Sequence, residues 1–267
     1  MADVRHDAAT GRIVAVAPGR ATRPGAAAPS LDELEACPFC AGRESRTPPE
    51  TLRLGDGPTG WAVRVVPNLY PALEGHEVVI QGPQHIRSIA GLDPATVDLV
   101  AEAWQRRAHG AGGVCFPFLN EGRGAASSLP HSHSQLAWLP EAAAAAVAGR
   151  GVPELIEIES RDGVTAGCPV ASRVPYEVLI APSRPEPEGL RSDLLAPALR
   201  LLAELVRRLQ RLRGEELVPL NAWLHDGPHW HLVLFPRTAE LGGLELGVGV
   251  YVNSVAPEQA AAELRMR

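Results

Sequence analysis

The chain has no lysine: all 25 of its fixed cations are arginine. That absence removes whole mechanisms. There is no P-loop lysine to reach a nucleotide's phosphates, no Schiff base with pyridoxal phosphate and no lysyl-nucleotide intermediate. A basic surplus is also missing. The net charge is −6, which argues against a general nucleic-acid binder. The opening residues, MADVRHDAATG, carry charges and no apolar stretch, so no signal peptide is expected. No apolar run reaches the ~20 residues of a membrane span. Four cysteines in 267 residues do not suggest a disulfide scaffold. Cys115 and Cys168 stand alone in apolar surroundings and read as small core residues. The expectation is a cytoplasmic protein with neither membrane nor nucleic acid among its partners.

What is present is ample core material, 45% hydrophobic residues in one large domain or two ordinary ones. GWAVRVVPNLYPALEGHEVVIQGPQH reads as two strands around a proline-punctuated turn. LDPATVDLVAEAWQRRAHG reads as a helix capped by Asp93, with Pro94 in its first turn and Gly110 at its end. VCFPFLNEG and SQLAWL are strand candidates, and roughly 140 to 154 reads as a linker. A similar order then returns. GCPVASRVPYEVLIAPSRP answers the first strand pair, Ser192 can cap a long helix ending at Gly214, and HWHLVLFP answers HSHSQLAWLP. The pattern predicts an internal duplication, with a break near residue 150 and a short closing helix that has Pro257 near its start.

Two clusters carry chemistry. Cys37 and Cys40, in CPFC, have the spacing of half a zinc site, and His85 and His131 are candidates to complete a tetrahedral Cys₂His₂ set. The bland reading of the pair is a surface turn with two reduced thiols. In PHSHSQ, alternate residues of a strand share a face, which groups His131, His133 and Gln135. One imidazole can bind the metal while the next points into a pocket, where a neutral imidazole is a competent nucleophile toward phosphorus. Glutamine at the third position can hydrogen-bond a phosphoryl oxygen but cannot protonate a poor leaving group. That favours a good leaving group such as a sugar phosphate. His6, His76 and His109 lack any companion pattern and read as ordinary; His225, His229 and His231 are thin evidence for a second metal, and none is expected.

These residues resemble the galactose-1-phosphate uridylyltransferase family of the histidine-triad superfamily, close to the branch with ADP-glucose phosphorylase. TGRIVAVAPGRATRP, CPFC, VVPNLYPAL, GPQH, FLNEGRGAASSLPHSHSQ and the tail GGLELGVGVYVNSVAPEQA carry the resemblance nearly end to end. It implies an α+β fold of two histidine-triad-like units, 1–150 bearing zinc and the catalytic histidine and 151–267 degenerate, each an antiparallel sheet with packed helices. It implies transfer of a nucleoside monophosphate from a nucleotide sugar to a sugar 1-phosphate or phosphate through a nucleotidyl-histidine, with Zn²⁺ as cofactor and a homodimer as the assembly. His133 matches the nucleophile; Cys37, Cys40, His85 and His131 match zinc ligands. Gln135 and Ser128 match groups on the transferred phosphate, Asn120 the nucleotide phosphate side, Arg20 and Arg23 arginines near phosphate, and Asn68 a ribose or base contact. Departures exist: Ser132 stands where other members have proline, and Gly247 to Gly249 where galactose-specific members carry Tyr-Glu, which puts galactose recognition in doubt. A histidine-triad hydrolase and an inactive zinc-stapled binding protein are the rival readings.

Overall fold

The computed structural model describes residues 3–7, 10–22, 33–110, 113–147 and 151–266. Strands β1 (Asp3–Asp7) and β2 (Arg12–Val16) pair as a separate hairpin, and a short helix, α1 (Glu33–Ala36), precedes CPFC. The main body follows as β3 (Leu52–Leu54), β4 (Val63–Pro67), β5 (Glu77–Gln81), α2 (Pro94–Gly110), β6 (Val114–Glu121) and β7 (His133–Leu139). After α3 (Glu141–Val147) come β8 (Leu155–Arg161), β9 (Val164–Pro169), β10 (Val178–Pro182), α4 (Leu195–Arg213), β11 (Leu220–His225) and β12 (His231–Pro236). Helices α5 (Gly243–Val248) and α6 (Pro257–Arg265) close the chain. The fold is α+β, as the pattern implies.

Ten strands form one sheet in the order β3-β4-β5-β7-β6-β11-β12-β10-β9-β8, every pair antiparallel. Counted inward from either edge the order is the same: two outer strands, a third, then the last strand of the set before the one preceding it. The central pair is β6 with β11, where Asn120 lies opposite Asn221.

Helix α4 covers one face of the sheet. Its Leu195, Leu199, Leu202, Val206 and Leu209 recur at three- and four-residue steps and are all buried. Each contributes on the order of 2 kcal/mol of burial energy. They share one core with α2, α6 and the inward residues of the strands, such as Val65, Val79, Leu119 and Leu136. The pleat sends the alternate residues to the other face. There Val66, Val78 and Ile80 make a second, smaller core with Cys37, Phe39, Cys40 and Trp61. His133 and Gln135 point to this second face, while Ser134 between them accepts a 2.8 Å hydrogen bond from Trp104 Nε1 on the helical side.

Three local readings change. The stretch expected as a linker contains α3, because an alanine run after Pro140 has high helix propensity. Ser192 sits two residues ahead of the N-cap of α4: its Oγ accepts the Leu194 N–H at 3.0 Å, and Leu194 occupies the N-cap position. Each set also has one more strand than the repeat suggests, β3 and β8 at the outer edges. Asp93 does cap α2, its carboxylate accepting both the backbone N–H (3.0 Å) and hydroxyl (2.7 Å) of Thr96.

On the helical face, Glu121 is buried at the end of β6. It accepts from Ser88 Oγ at 2.7 Å and the Ile89 N–H at 2.5 Å, and Ser132 Oγ lies 3.5 Å away. Burial pushes its carboxyl up to about 7, only partly offset by these bonds. The folded state therefore holds a proton that the unfolded chain releases near pH 4.5, so this group's stabilisation is full below pH 4.5 and lost as pH rises through 7. Glu121→Gln should gain stability relative to the unaltered protein between pH 4.5 and 7, by roughly 3 kcal/mol. Urea unfolding across that range checks it; a pH-independent difference refutes it.

Candidate active site and metal centre

The loop after α1 brings CPFC over the face of the sheet at β4 and β5. One ligand atom each from Cys37, Cys40, His85 and His131 lies within 4.8 Å of all the others. Cys37 Sγ is 3.5 Å from His131 Nδ1, Cys40 Sγ is 3.5 Å from His85 Nδ1, and Cys40 Sγ is 3.7 Å from His131 Nδ1. A tetrahedral ion bonded at roughly 2.3 Å to sulfur and 2.0 Å to nitrogen sets its S–N edges at about 3.5 Å. The four residues thus fit a metal. His131 Nε2–H donates to the Gly82 carbonyl at 3.0 Å, which fixes the tautomer and turns the Nδ1 lone pair to the cluster. Burial lowers His131 to about 4, so its imidazole stays neutral. Burial and the neighbouring Cys37 raise the Cys40 thiol to about 11. A cation held at the cluster would favour the thiolate of Cys40.

From this cluster the chain runs directly into β7. His133 Nδ1–H donates to the His131 carbonyl at 2.7 Å, which makes Nε2 the lone-pair nitrogen. The ring also meets the edge of Phe39, centroids 5.4 Å apart. His133 and Gln135 line a cavity of about 240 Å³ with Asn68 and Ser128, and its remaining walls are largely apolar. One wall comes from 46–48. It is held by the buried Arg64, which pairs with Glu50 at 2.6 Å and donates to Thr47 Oγ1 at 3.3 Å while lying over the Trp61 ring.

Gln135 accepts at Oε1 from two sides: His76 Nε2 is 3.0 Å away and Asn68 Nδ2 is 3.5 Å away. Asn68 is oriented by Tyr70 N–H, which donates to its Oδ1 at 2.9 Å. Arg20 Nη1 donates to the Tyr70 carbonyl at 2.6 Å and lines an adjoining cleft of about 620 Å³ on the other side of the Pro67–Tyr70 loop. Asn120 stands on the same face of β6, one register step beyond the Phe118–Gln135 and Leu119–Ser134 pairs. Its Oδ1 accepts from Asn221 Nδ2 at 2.7 Å. Arg23 lies outside the described residues. The Gly247–Gly249 segment is not among the residues lining this cavity; Leu246 and Val248 beside it are 75% and 70% exposed. Two contributors escape a reading by motif, His76 and Asn221. Both lie far in sequence from the residues they touch.

No protein-family model matches the chain. It is 28% identical to ADP-glucose phosphorylase of Arabidopsis thaliana over 98% of this chain and 92% of that protein. The solved structure of that phosphorylase from the same plant, with bound ADP-glucose, superposes with a TM-score of 0.77 at 26% identity, covering 100% and 99% of the two chains. Over nearly its whole length the chain is similar to an ADP-glucose phosphorylase and to galactose-1-phosphate uridylyltransferases. Galactose-1-phosphate uridylyltransferase of Thermotoga maritima is 23% identical over 99% of this chain and 98% of its own length. A solved uridylyltransferase shares the fold, with a TM-score of 0.78 at 24% identity over 98% and 97%. Among the described residues of this chain no helix is long and apolar enough to cross a membrane.

The cluster ties two loops to the strand that carries His133, so metal loss should loosen all three. Chelation should lower the melting temperature of the protein by several degrees, and Cys37→Ser should abolish the chelator-dependent shift. An equal shift in the variant, read by differential scanning calorimetry, refutes the cluster as the binding site.

Proposed function

We propose that the protein is a nucleotidyltransferase that moves a nucleoside monophosphate from a nucleoside diphosphate sugar to a sugar 1-phosphate or inorganic phosphate, by way of His133. The observation that carries this reading is the 2.7 Å bond from His133 Nδ1–H to the His131 carbonyl, which commits Nε2 to the cavity as a neutral nucleophile. The binding of ADP-glucose by the Arabidopsis thaliana phosphorylase supports a nucleotide sugar as donor, and makes adenine the first base to test.

In the first step His133 Nε2 attacks the phosphorus of the nucleotidyl group. The P–N bond forms as the bond to the sugar phosphate oxygen breaks, and the sugar phosphate leaves with the electron pair. In the second, an oxygen of the acceptor phosphate attacks the same phosphorus and the P–N bond breaks, returning a neutral imidazole. Gln135, Ser128 and Asn120 supply neutral donors to the transferred phosphate, Arg20 a cationic one from the adjoining cleft, and Asn68 steadies Gln135. Arg23 is assigned the same role on resemblance. Gln135 has no proton to give a leaving oxygen, so the leaving group must be good on its own. That favours transfer between phosphates over hydrolysis of poorer esters.

Zinc is the metal assigned to Cys37, Cys40, His85 and His131, because a mixed thiolate and imidazole set with tetrahedral edges suits it. Held by these four residues, none of which lines the cavity, it would brace the loop. We assign the catalytic half to 1–150 and the degenerate half to 151–267, a homodimer as the working assembly and the cytoplasm as its compartment.

Incubation with radiolabelled nucleotide sugar should leave an acid-labile, alkali-stable nucleotidyl group on His133. His133→Ala should abolish it, and Gln135→Ala should slow exchange by roughly 10²-fold, the scale for losing one donor to developing charge. Full exchange in the His133→Ala protein ends this reading.

A further inference from the structure

His76 lies just ahead of β5, is only 5% exposed, and has no motif around it. Its Nδ1 sits 3.1 Å from the Ala72 backbone N–H. A backbone N–H can only donate, so Nδ1 must be the acceptor and the neutral ring must carry its proton on Nε2. That nitrogen is 3.0 Å from Gln135 Oε1. The tautomer thus decides a second ambiguity. Were the Gln135 amide turned over, its NH₂ would meet an N–H donor with no acceptor between them. Asn68 enforces the same choice. Its Oδ1 is fixed by the Tyr70 N–H, which leaves Nδ2 facing Gln135 Oε1. Asn68 Nδ2 also comes 3.3 Å from His76 Nε2, a contact of two donors and so not a hydrogen bond. Both donors converge on one oxygen, and the Gln135 NH₂ is left to face the cavity that His133 lines.

We propose that His76 is a positioning residue: a relay from the Ala72 N–H through the imidazole to Gln135 Oε1 locks the amide with its NH₂ toward the phosphoryl group. The role rests on the transfer reading above and adds to it a residue outside the Cys-x-x-C and His-x-His-x-Gln motifs. The relay prepays the orientation of a neutral donor before substrate arrives, the condition under which a hydrogen bond to developing charge accelerates a reaction. It also accounts for a histidine at this buried position. An imidazole presents an acceptor and a donor on opposite edges of one rigid ring, which an aliphatic side chain cannot.

Kinetics of label exchange, a double-mutant cycle and NMR together test it. His76→Met should lower kcat on the order of 10-fold, as for one lost hydrogen bond, with KM for the nucleotide sugar changed less than about twofold. His76→Gln, whose amide nitrogen falls near the Nε2 position, should recover most of the loss. In a Gln135→Ala background, His76→Met should cost nothing further, since the group it orients is gone. Additive losses, or a His76→Gln protein as slow as His76→Met, would overturn the relay. The ¹⁵N imidazole spectrum of the unaltered, folded protein should show His76 as the Nε2–H tautomer at pH 7. A Nδ1–H tautomer or an imidazolium there would also overturn it. This spectrum needs no turnover, so a protein that exchanges no label tells against the transfer reading while the spectrum still decides the relay.

Discussion

The site hangs on the backbone of one residue. The His131 side chain faces the metal cluster through Nδ1, and its Nε2 is anchored on Gly82. Its carbonyl, meanwhile, takes the Nδ1 proton of His133. A carbonyl moves only with its peptide unit, so the position of the His133 ring is set by where the chain enters β7. That entry is fixed twice more. Ser132 N–H donates to the Ile86 carbonyl at 2.6 Å, and Gln81 N–H donates to the Ser132 carbonyl at 3.2 Å. Ile86 follows His85, so the loop carrying one member of the cluster also binds the peptide between the two histidines. The Cys/His cluster and the His133 ring are thus joined through the backbone.

The second half repeats part of this arrangement. His231 Nδ1–H donates to the His229 carbonyl at 2.9 Å, the same local geometry as His133 on His131. Two residues along β12, however, stands Val233, where β7 has Gln135. Val233 packs with Val174, Leu179 and Phe235 in an apolar cluster, and Phe235 lies under the Arg173 guanidinium. His231 also meets the His225 ring, centroids 4.8 Å apart, so its surroundings differ from those of His133. What this half supplies instead crosses the central strand pair: Asn221 on β11 donates to Asn120 on β6, and Arg237 donates to Asn221 Oδ1 at 3.4 Å. The sheet junction turns the second half into a support for the first.

Much of this could be read from the residues because the informative ones are locally patterned. CPFC names its own spacing, and the alternation in HSHSQ sends His133 and Gln135 to one face. The caps at Asp93 and Gly214 mark their helix ends by chemistry that acts within a few residues. His131 differs from the strand reading in a telling way: β7 begins at His133, so His131 reaches the cluster from the chain before the strand. The illegible parts are those decided by register. His76 looks isolated because its partner, Gln135, is 59 positions away and meets it only through the pairing of β5 with β7, where Val78 lies opposite Gln135. Asn221 is likewise 101 positions from Asn120. The strands β3 and β8 escape notice because edge strands carry weak alternation. Leu52–Leu54 is only three residues long, and Leu155–Arg161 has a bulge between Glu157 and Glu159.

The lack of lysine shapes how charge is met. Guanidinium groups are planar and hold their partners in two dimensions, and here they are spent on backbone as much as on carboxylates. Arg20 binds the Tyr70 carbonyl, and Tyr70 N–H in turn holds Asn68, which reaches Gln135. Asn68 N–H also donates to the His76 carbonyl at 2.9 Å, so the loop Pro67–Tyr70 is tied to both ends of the relay. That loop is the shared wall of the two cavities. An anion entering the cleft beside Arg20 would compete for the guanidinium held by Tyr70, and any shift of that peptide passes through Asn68 to the amide beside His133. On the transfer reading, the two cavities therefore meet at one loop, and its polar atoms connect Arg20 to Gln135.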